Sequence, residues 1–513
     1  MCAQCTRLHA AQTSRNRQAR NLHQGHSHRD VQQPWPSGIE NIPRTCQCGE
    51  RTRKKKVTTY IMKDAQYINS TFASRYMTEP IPKLELPATG LPAAIVSQVI
   101  KDMRALDAHP NLNLASFVTT WMEPEARALV DDSVNVNFVN ADEYPSCTEM
   151  ANRCLSMIAR LLHSPSRDDP VGAPCVGSSE AIMLCGLAMK KRWQGFRKEA
   201  GKDANTPNLV MSTATHVCWE KFCRYWDVEP RYVEATETRL AATPELLAAK
   251  CDENTIGVVA ILGTTYTGEF EDVAGLDALV GKLNKANMWN IVVHVDAASG
   301  GFVAPFVYPS MKWDFRLPNV SSINLSGHKY GLVFPGIGWA VWRDTTFLPE
   351  SMVFYADYLG SVERTITLNF SRGASQIVAQ YYQFLRLGVD GYTKIMKNLT
   401  SIAAHIRQKL QQSKHFELLS QKEGIPLVAF RLAKKVKPRY DENDISERVR
   451  MAGWWVPAYS MPRGAEQHKM MRITIREDLS LDMADEVLDA LAKAVDWLEK
   501  DRSPKNNRYV DIN

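Results

Sequence analysis

Ser321-Ser322-Ile323-Asn324-Leu325-Ser326-Gly327-His328-Lys329-Tyr330-Gly331 begins as a short apolar run and ends among small residues, with a histidine and a lysine side by side. The run reads as a buried strand, so Lys329 stands just past a strand's carboxyl end, fenced by Gly327 and Gly331. Two readings compete for it. Either the lysine is a solvated surface charge, or it is an amine held for Schiff-base chemistry with an aldehyde. The second reading needs three further parts: an acid for a protonated ring nitrogen, a cradle for a phosphate, and a basic anchor for a carboxylate.

Outward from this stretch, residues 111–388 alternate short apolar runs with longer helical patterns. Segments 208–212, 255–262, 290–295 and 321–325 read as buried strands, and 178–193, 219–226, 277–285 and 374–387 as helices. Strands alternating with helices predict an α/β fold, with a mostly parallel sheet covered on both faces. Ligands of such sheets bind at the carboxyl ends of the strands, where Lys329 lies. After Gly388 the pattern changes to a helix over 395–410, a strand over 426–432, a helix over 444–451, a strand over 470–475 and a last helix over 482–500. The expected layout is therefore a large α/β domain (111–388) and a smaller C-terminal α+β domain (389–500). An N-terminal arm (57–110) carries a helix over 92–106, and a short tail (501–513) ends the sequence. Residues 1–56 lack periodicity, are rich in Arg, Gln, His and Ser, and read as a disordered basic extension.

The 513 residues are 44% hydrophobic and 23% charged, which is a soluble globular composition. No apolar run approaches the roughly 18 to 20 residues of a membrane span. The net charge of +6 gathers mostly in the first 56 residues, where only Asp30, Glu40 and Glu50 are acidic, so nucleic acid is not an expected partner. Eleven scattered cysteines point to a reducing, cytoplasmic setting, with organelle targeting by the acid-poor start as the alternative. The close pairs Cys2/Cys5 and Cys46/Cys48 read as chance spacing in a tail, and no metal site is expected.

Each missing part has a candidate. Asp296, in His294-Val295-Asp296-Ala297-Ala298-Ser299-Gly300-Gly301, follows an apolar strand and precedes only small residues. It is either a helix N-cap or the acid that keeps the pyridine nitrogen of pyridoxal phosphate (PLP) protonated, with Ala298 small enough to lie flat under the ring. One strand–helix–strand excursion separates it from Lys329, which favours the second reading. Gly177-Ser178-Ser179-Glu180 opens a helix and is either a plain capping box or a phosphate cradle. Thr265 after the 255–262 strand, together with Ser326 and His328, would add donors. His216, at another strand end, is a candidate to stack on the ring. Arg472, inside an apolar strand of the small domain, is either half of a structural ion pair or a carboxylate anchor.

Taken together the chain resembles the PLP-dependent glutamate decarboxylases of the plant and bacterial type. The resemblance runs from about Phe72 to Leu498. It is carried by Asn113-Leu114-Ala115-Ser116-Phe117-Val118-Thr119-Thr120-Trp121-Met122-Glu123-Pro124-Glu125, Asp142-Glu143-Tyr144-Pro145, Gly177-Ser178-Ser179-Glu180-Ala181, Cys218-Trp219-Glu220-Lys221-Phe222, the Asp296 and Lys329 segments, and Asn369-Phe370-Ser371-Arg372.

The resemblance implies the aspartate-aminotransferase-like fold type I and conversion of L-glutamate to 4-aminobutanoate and CO2. In that scheme Lys329 forms the Schiff base and Asp296 holds the ring nitrogen. Ser178, Ser179, Thr265, Ser326 and His328 surround the cofactor, and Ser371 reaches the phosphate of a neighbouring subunit. Arg472 takes one substrate carboxylate, while Ser116, Phe117 and Asn137 lie near the distal one. Tyr358, in a segment over the site, is a candidate proton donor. A homo-oligomer is implied, with a dimer as the minimal unit and a hexamer as the larger family form.

Two positions depart from the pattern. His216 stands where glutamine is usual, and Asn140 stands where aspartate is usual near the distal carboxylate, which removes a protonatable group. The tail lacks the Trp- and Lys-bearing segment with which many plant members bind calmodulin, so calmodulin is not an expected partner. The alternatives are a PLP-dependent decarboxylase of another amino acid, or a catalytically silent, calmodulin-regulated family member.

Overall fold

A computed structural model of the chain describes residues 83–139, 142–358, 361–420, 423–435 and 439–501; side chains at 356–364 fall outside that description. The basic extension 1–56 with its cysteine pairs, residues 57–82 of the 57–110 arm, Asn140, and the tail after Asp501 lie outside the described residues. The described residues up to Ala88 belong to a separate unit and carry neither helix nor strand; those from Thr89 on form one compact unit.

The main sheet has seven strands: β1 (Val171–Cys175), β2 (Asn208–Ser212), β3 (Glu229–Val233), β4 (Thr255–Ile261), β5 (Val293–Asp296), β6 (Val320–Ser326) and β7 (Gly338–Trp342). Their order is β1-β7-β6-β5-β4-β2-β3. From β3 to β6 all neighbours are parallel, as expected. The difference is β7, which runs antiparallel to both β6 and β1. Every residue of β4 and β6 is buried, because helices cover both faces and alternate side chains point to opposite layers. Leu209, Met211 and Val259 pack on one face with Trp193, Trp219 and Phe222. Val210, Val258, Ala260 and Ile323 pack on the other with Phe302, Tyr392 and Met396. Each such large apolar side chain contributes on the order of 2 kcal/mol by leaving water.

Two strands lie at the sheet's edges and contain proline, Pro174 in β1 and Pro230 in β3, where a missing N–H leaves no interior ladder bond unmade. A two-stranded hairpin, β8 (Phe354–Tyr358) with β9 (Ser361–Thr365), comes next along the chain. The smaller sheet is antiparallel, in the order β10 (Phe416–Leu418), β11 (Leu427–Leu432), β13 (Lys469–Thr474), β12 (Ala458–Ser460). Helices Glu442–Arg450 and Leu481–Lys500 accompany it, the first opened by a full capping box on Asp441.

The helices expected over 374–387 and 395–410 are joined as Ser375–Gln412, broken at Gly388, whose φ of 56° and ψ of −170° no helix tolerates. In register, Asp296 lies opposite Ile261 of β4 and Asn324 of β6. The carboxyl ends of the three central strands therefore come level, and the loops that leave them gather at one edge of the sheet.

Candidate active site

A cavity of about 620 Å³ opens at that edge. It is lined by Ser178, Ser179, His216, Thr265, Asp296, Ala298, Ser299, Ser326, His328 and Lys329 among others. Residues drawn from well-separated stretches of the sequence thus share one wall.

Lys329 sits three residues beyond β6. Its loop is tied down on all sides. Thr119 donates its backbone N–H to the His328 carbonyl at 3.0 Å and its hydroxyl to the Lys329 carbonyl at 2.8 Å. Gln380 donates to Gly331 at 3.2 Å, and the Tyr330 hydroxyl lies 3.0 Å from the Pro426 carbonyl and 3.2 Å from that of Ile475. The Lys329 Nζ donates to Ser299 Oγ at 3.1 Å and lies 5.3 Å from the centre of the Phe117 ring. Burial pushes its pKa below the ordinary value, opposed by Asp296 and assisted by Arg472. A lysine so placed is no solvated surface charge.

Asp296 is buried and fully engaged. Its Oδ2 accepts from the Trp219 indole at 2.9 Å. Its Oδ1 accepts from Asn324 Nδ2 at 3.0 Å and from the Ala298 backbone at 3.2 Å. It caps no helix; Ser299 and not Asp296 precedes the short Gly300–Phe302 turn. Three donors thus point at the two carboxylate oxygens.

The helix Ser178–Glu199 starts after Gly177 with no side chain capping it. The capping-box alternative fails because Glu180 turns elsewhere, accepting from the backbone of Val176 at 2.7 Å and of Leu368 at 2.9 Å. The first N–H groups of the helix are thereby left to the cavity, beside the Ser178 hydroxyl and a Ser179 hydroxyl that meets Cys218 Sγ at 2.9 Å. Ser326 donates to Ser178 at 2.8 Å, and His328 Nδ1 pairs with the Ile337 carbonyl at 2.8 Å, leaving Nε2 as the ring's acceptor.

His216 caps the helix Val217–Tyr225 by accepting from the Cys218 N–H at 3.3 Å. It remains accessible from the cavity, and burial pushes its pKa down, so the ring is neutral near pH 7. Arg472 resolves its own ambiguity. It bonds the Ala115 carbonyl at 2.9 Å and the Thr265 carbonyl, lies 4.9 Å from the Phe117 ring centre, and pairs with no carboxylate among the described residues. Its Nε is buried without a partner.

Not every candidate converges. The Ser116 hydroxyl accepts from the Val118 N–H at 3.2 Å. Asn137 and Ser371 meet each other at 3.4 Å near the surface, outside this cavity's lining. Tyr358 ends β8, with its side chain outside the described part.

A cavity with a free helix N-terminus, a buried carboxylate and a lysine that pairs with no carboxylate among the described residues fits PLP. The donor set matches a phosphate at one end and a ring nitrogen at the other. The pyridoxal-dependent decarboxylase conserved domain matches residues 89–433. The chain belongs to the pyridoxal-dependent decarboxylase family. It is 49% identical to a glutamate decarboxylase of Petunia hybrida over 84% of this chain and 86% of that one. A glutamate decarboxylase of Lactococcus lactis subsp. cremoris is 40% identical over 87% of this chain and 97% of its own. Among solved structures, the glutamate decarboxylase of Lactobacillus brevis superposes with a TM-score of 0.80 at 40% identity, covering 83% of this chain and 97% of that one. The fold is accordingly that of the fold type I PLP enzymes.

The family's general chemistry leaves several residues without a role assigned from sequence. Ser299, Trp219, Asn324 and His294 all touch the lysine, the acid or each other. Each lies within or beside a quoted motif, but only the strand register shows which side chains meet.

Proposed function

We infer that the chain is a glutamate decarboxylase, converting L-glutamate to 4-aminobutanoate and CO2 with PLP as cofactor. The observation that carries this is Lys329, a half-buried side chain with no ion-pair partner among the described residues, in one cavity with the buried carboxylate of Asp296. The identities of 40–49% to glutamate decarboxylases name the substrate.

Ser178, Ser179, Ser326, His328 and the N-terminus of the Ser178–Glu199 helix would hold the phosphate, with Asp296 at the ring nitrogen and Ala298 and His216 beside the ring. Bound PLP supplies the electron sink that receives the bonding pair when the α-carboxylate leaves as CO2. The protein's own residues do the rest. Lys329, its pKa lowered by burial, offers an unprotonated amine more readily than a surface lysine and is the covalent tether. Asp296, held by Trp219, Asn324 and Ala298, keeps a proton on the ring nitrogen. Arg472, without a carboxylate partner of its own, takes one from the substrate through a two-pronged bond, and the Phe117 ring against it excludes water. A proton delivered to the α-carbon completes the product, so each turnover consumes one proton.

The test is CO2 and 4-aminobutanoate production from purified protein with added PLP, across glutamate, aspartate and aromatic amino acids. Release from aromatic substrates with indifference to glutamate would overturn the assignment.

We further propose that the enzyme works as a homo-oligomer of at least two chains. The Ser371–Asn137 pair, lying off its own cavity, supports a contribution to a neighbour's site. Mixing inactive Lys329→Ala with Ser371→Ala chains should regenerate activity if sites are shared, and light scattering should report more than one chain. A cytoplasmic location belongs to the same reading, supported by the scattered cysteines, and cell fractionation tests it.

A further inference from the structure

Behind the cavity wall lies a buried polar chain whose far members, His294 and Ser322, the mechanism above does not use. His294, fully buried in β5, places Nδ1 2.8 Å from Ser322 Oγ and Nε2 2.8 Å from Asn324 Oδ1. Asn324, also fully buried, sends its one NH2 group in two directions, to Asp296 Oδ1 at 3.0 Å and to Ser178 Oγ at 3.2 Å. We propose that His294 is a positioning residue whose Nε2–H locks the Asn324 amide, so that this amide bridges the ring-nitrogen acid Asp296 and the phosphate-cradle hydroxyl of Ser178.

The direction of every bond is set by chemistry. An ionised Asp296 accepts only, so the Asn324 nitrogen must face it and the Asn324 oxygen must face His294. His294 Nε2 must then carry the hydrogen. Burial lowers the His294 pKa to about 4, so the ring is neutral and Nδ1 is an acceptor, served by the Ser322 hydroxyl. At the near end Ser178 Oγ accepts from Asn324 and from Ser326, leaving its own proton for the cavity. A bland reading makes His294 a core filler, since its ring also meets Trp219 edge-on with centroids 4.9 Å apart. Filling needs no nitrogen, yet both nitrogens are paired at hydrogen-bond distance in a site closed to water. Freed from His294, the Asn324 amide could flip, setting a carbonyl oxygen against the Asp296 carboxylate and withdrawing the donor from Ser178.

This inference rests on the assignment of PLP to the cavity, and cofactor binding tests it apart from turnover. Apo-protein of the full chain is titrated with PLP by visible absorbance, and its thermal midpoint is recorded separately. His294→Leu should weaken PLP binding about tenfold or more, while His294→Gln, which keeps one donor and one acceptor, should stay within about threefold of wild type. Ser322→Ala, a milder change that frees the imidazole to switch tautomer, should fall between them and serves if His294→Leu does not fold. Unchanged PLP affinity in His294→Leu or Ser322→Ala overturns the proposal, as does a His294→Gln protein as weak as His294→Leu. A wild type that takes up no PLP overturns the cofactor assignment and the proposal with it.

Discussion

The Trp219 indole donates to Asp296 Oδ2 at 2.9 Å, joining a helix to a strand end 77 residues away in sequence. The bond lies in the buried interior, where a charged acceptor that loses its donor cannot turn to water. Trp219→Phe removes the N–H and keeps most of the packing. A hydrogen bond to a charged group is worth about 1.5–3 kcal/mol, so kcat/KM for glutamate and PLP affinity should each fall at least about tenfold. Steady-state kinetics and cofactor titration check this.

Lys329→Arg preserves the positive charge but cannot form a Schiff base. Visible absorbance of the bound cofactor should change and decarboxylation should drop to background, while the circular dichroism of the fold stays the same. Retained turnover would remove Lys329 from the mechanism.

At Arg472 the guanidinium is braced by the Ala115 carbonyl and the Phe117 ring. Arg472→Lys keeps the charge and loses the fork. The expected fall in kcat/KM for glutamate is about tenfold to a hundredfold, with PLP affinity changed little.

Gly338 presses on the cradle at the start of its helix. A Cβ placed there would stand 2.4 Å from the Gly177 carbonyl carbon and 2.6 Å from the Ser178 nitrogen, both backbone atoms that cannot swing aside. Gly338→Ala should displace the start of the helix, costing about 1–3 kcal/mol of stability and weakening PLP binding in parallel. Urea unfolding and cofactor titration would read the two effects.

Glu271 is buried and accepts backbone N–H bonds from Ala242 at 3.0 Å and Ile261 at 2.8 Å. Burial pushes its carboxyl up to about 7 from an ordinary 4.5. Between those pH values the folded chain holds a proton that the unfolded chain has released, so this group makes stability fall as pH rises from about 4.5 to 7. His294 acts in the opposite sense. With its folded pKa lowered to about 4, it makes stability rise with pH up to its ordinary 6.5. Glu271→Gln should therefore gain on wild type by on the order of 3 kcal/mol between about pH 5 and pH 8, read as a difference of denaturant midpoints.

The parts of the site visible in sequence were those whose chemistry limits the choice of residue. A Schiff base needs Lys329, a protonated ring nitrogen needs Asp296, and a phosphate suits the hydroxyls opening a helix at Ser178. The parallel strands were legible because burial on both faces writes a continuous apolar run. β1 and β3 were not, because edge strands admit Pro174 and Pro230, which read as turn signals. β7 carried an apolar run, yet its antiparallel direction has no local signature. Asn324, Trp219 and His294 gave no sign of a shared role because their meeting depends on register. A one-residue slip of β6 against β5 would send Asn324 to the opposite face.

The antiparallel strand β7 has a consequence for the order of assembly. β1 pairs with β7 alone, so it has no neighbour in the sheet until the chain has been made as far as Trp342. The helix start at Ser178 hangs from β1, and Lys329 lies just ahead of β7. The two halves of the cofactor site are therefore joined by one long-range closure, a slow kind of contact to form. A ribosome-bound chain that stops short of Gly338 would lack both the strand that joins β1 to the sheet and the Gln380, Pro426 and Ile475 contacts that fix the Lys329 loop. Cofactor capture is thus a checkpoint that only a chain with its sheet complete can pass.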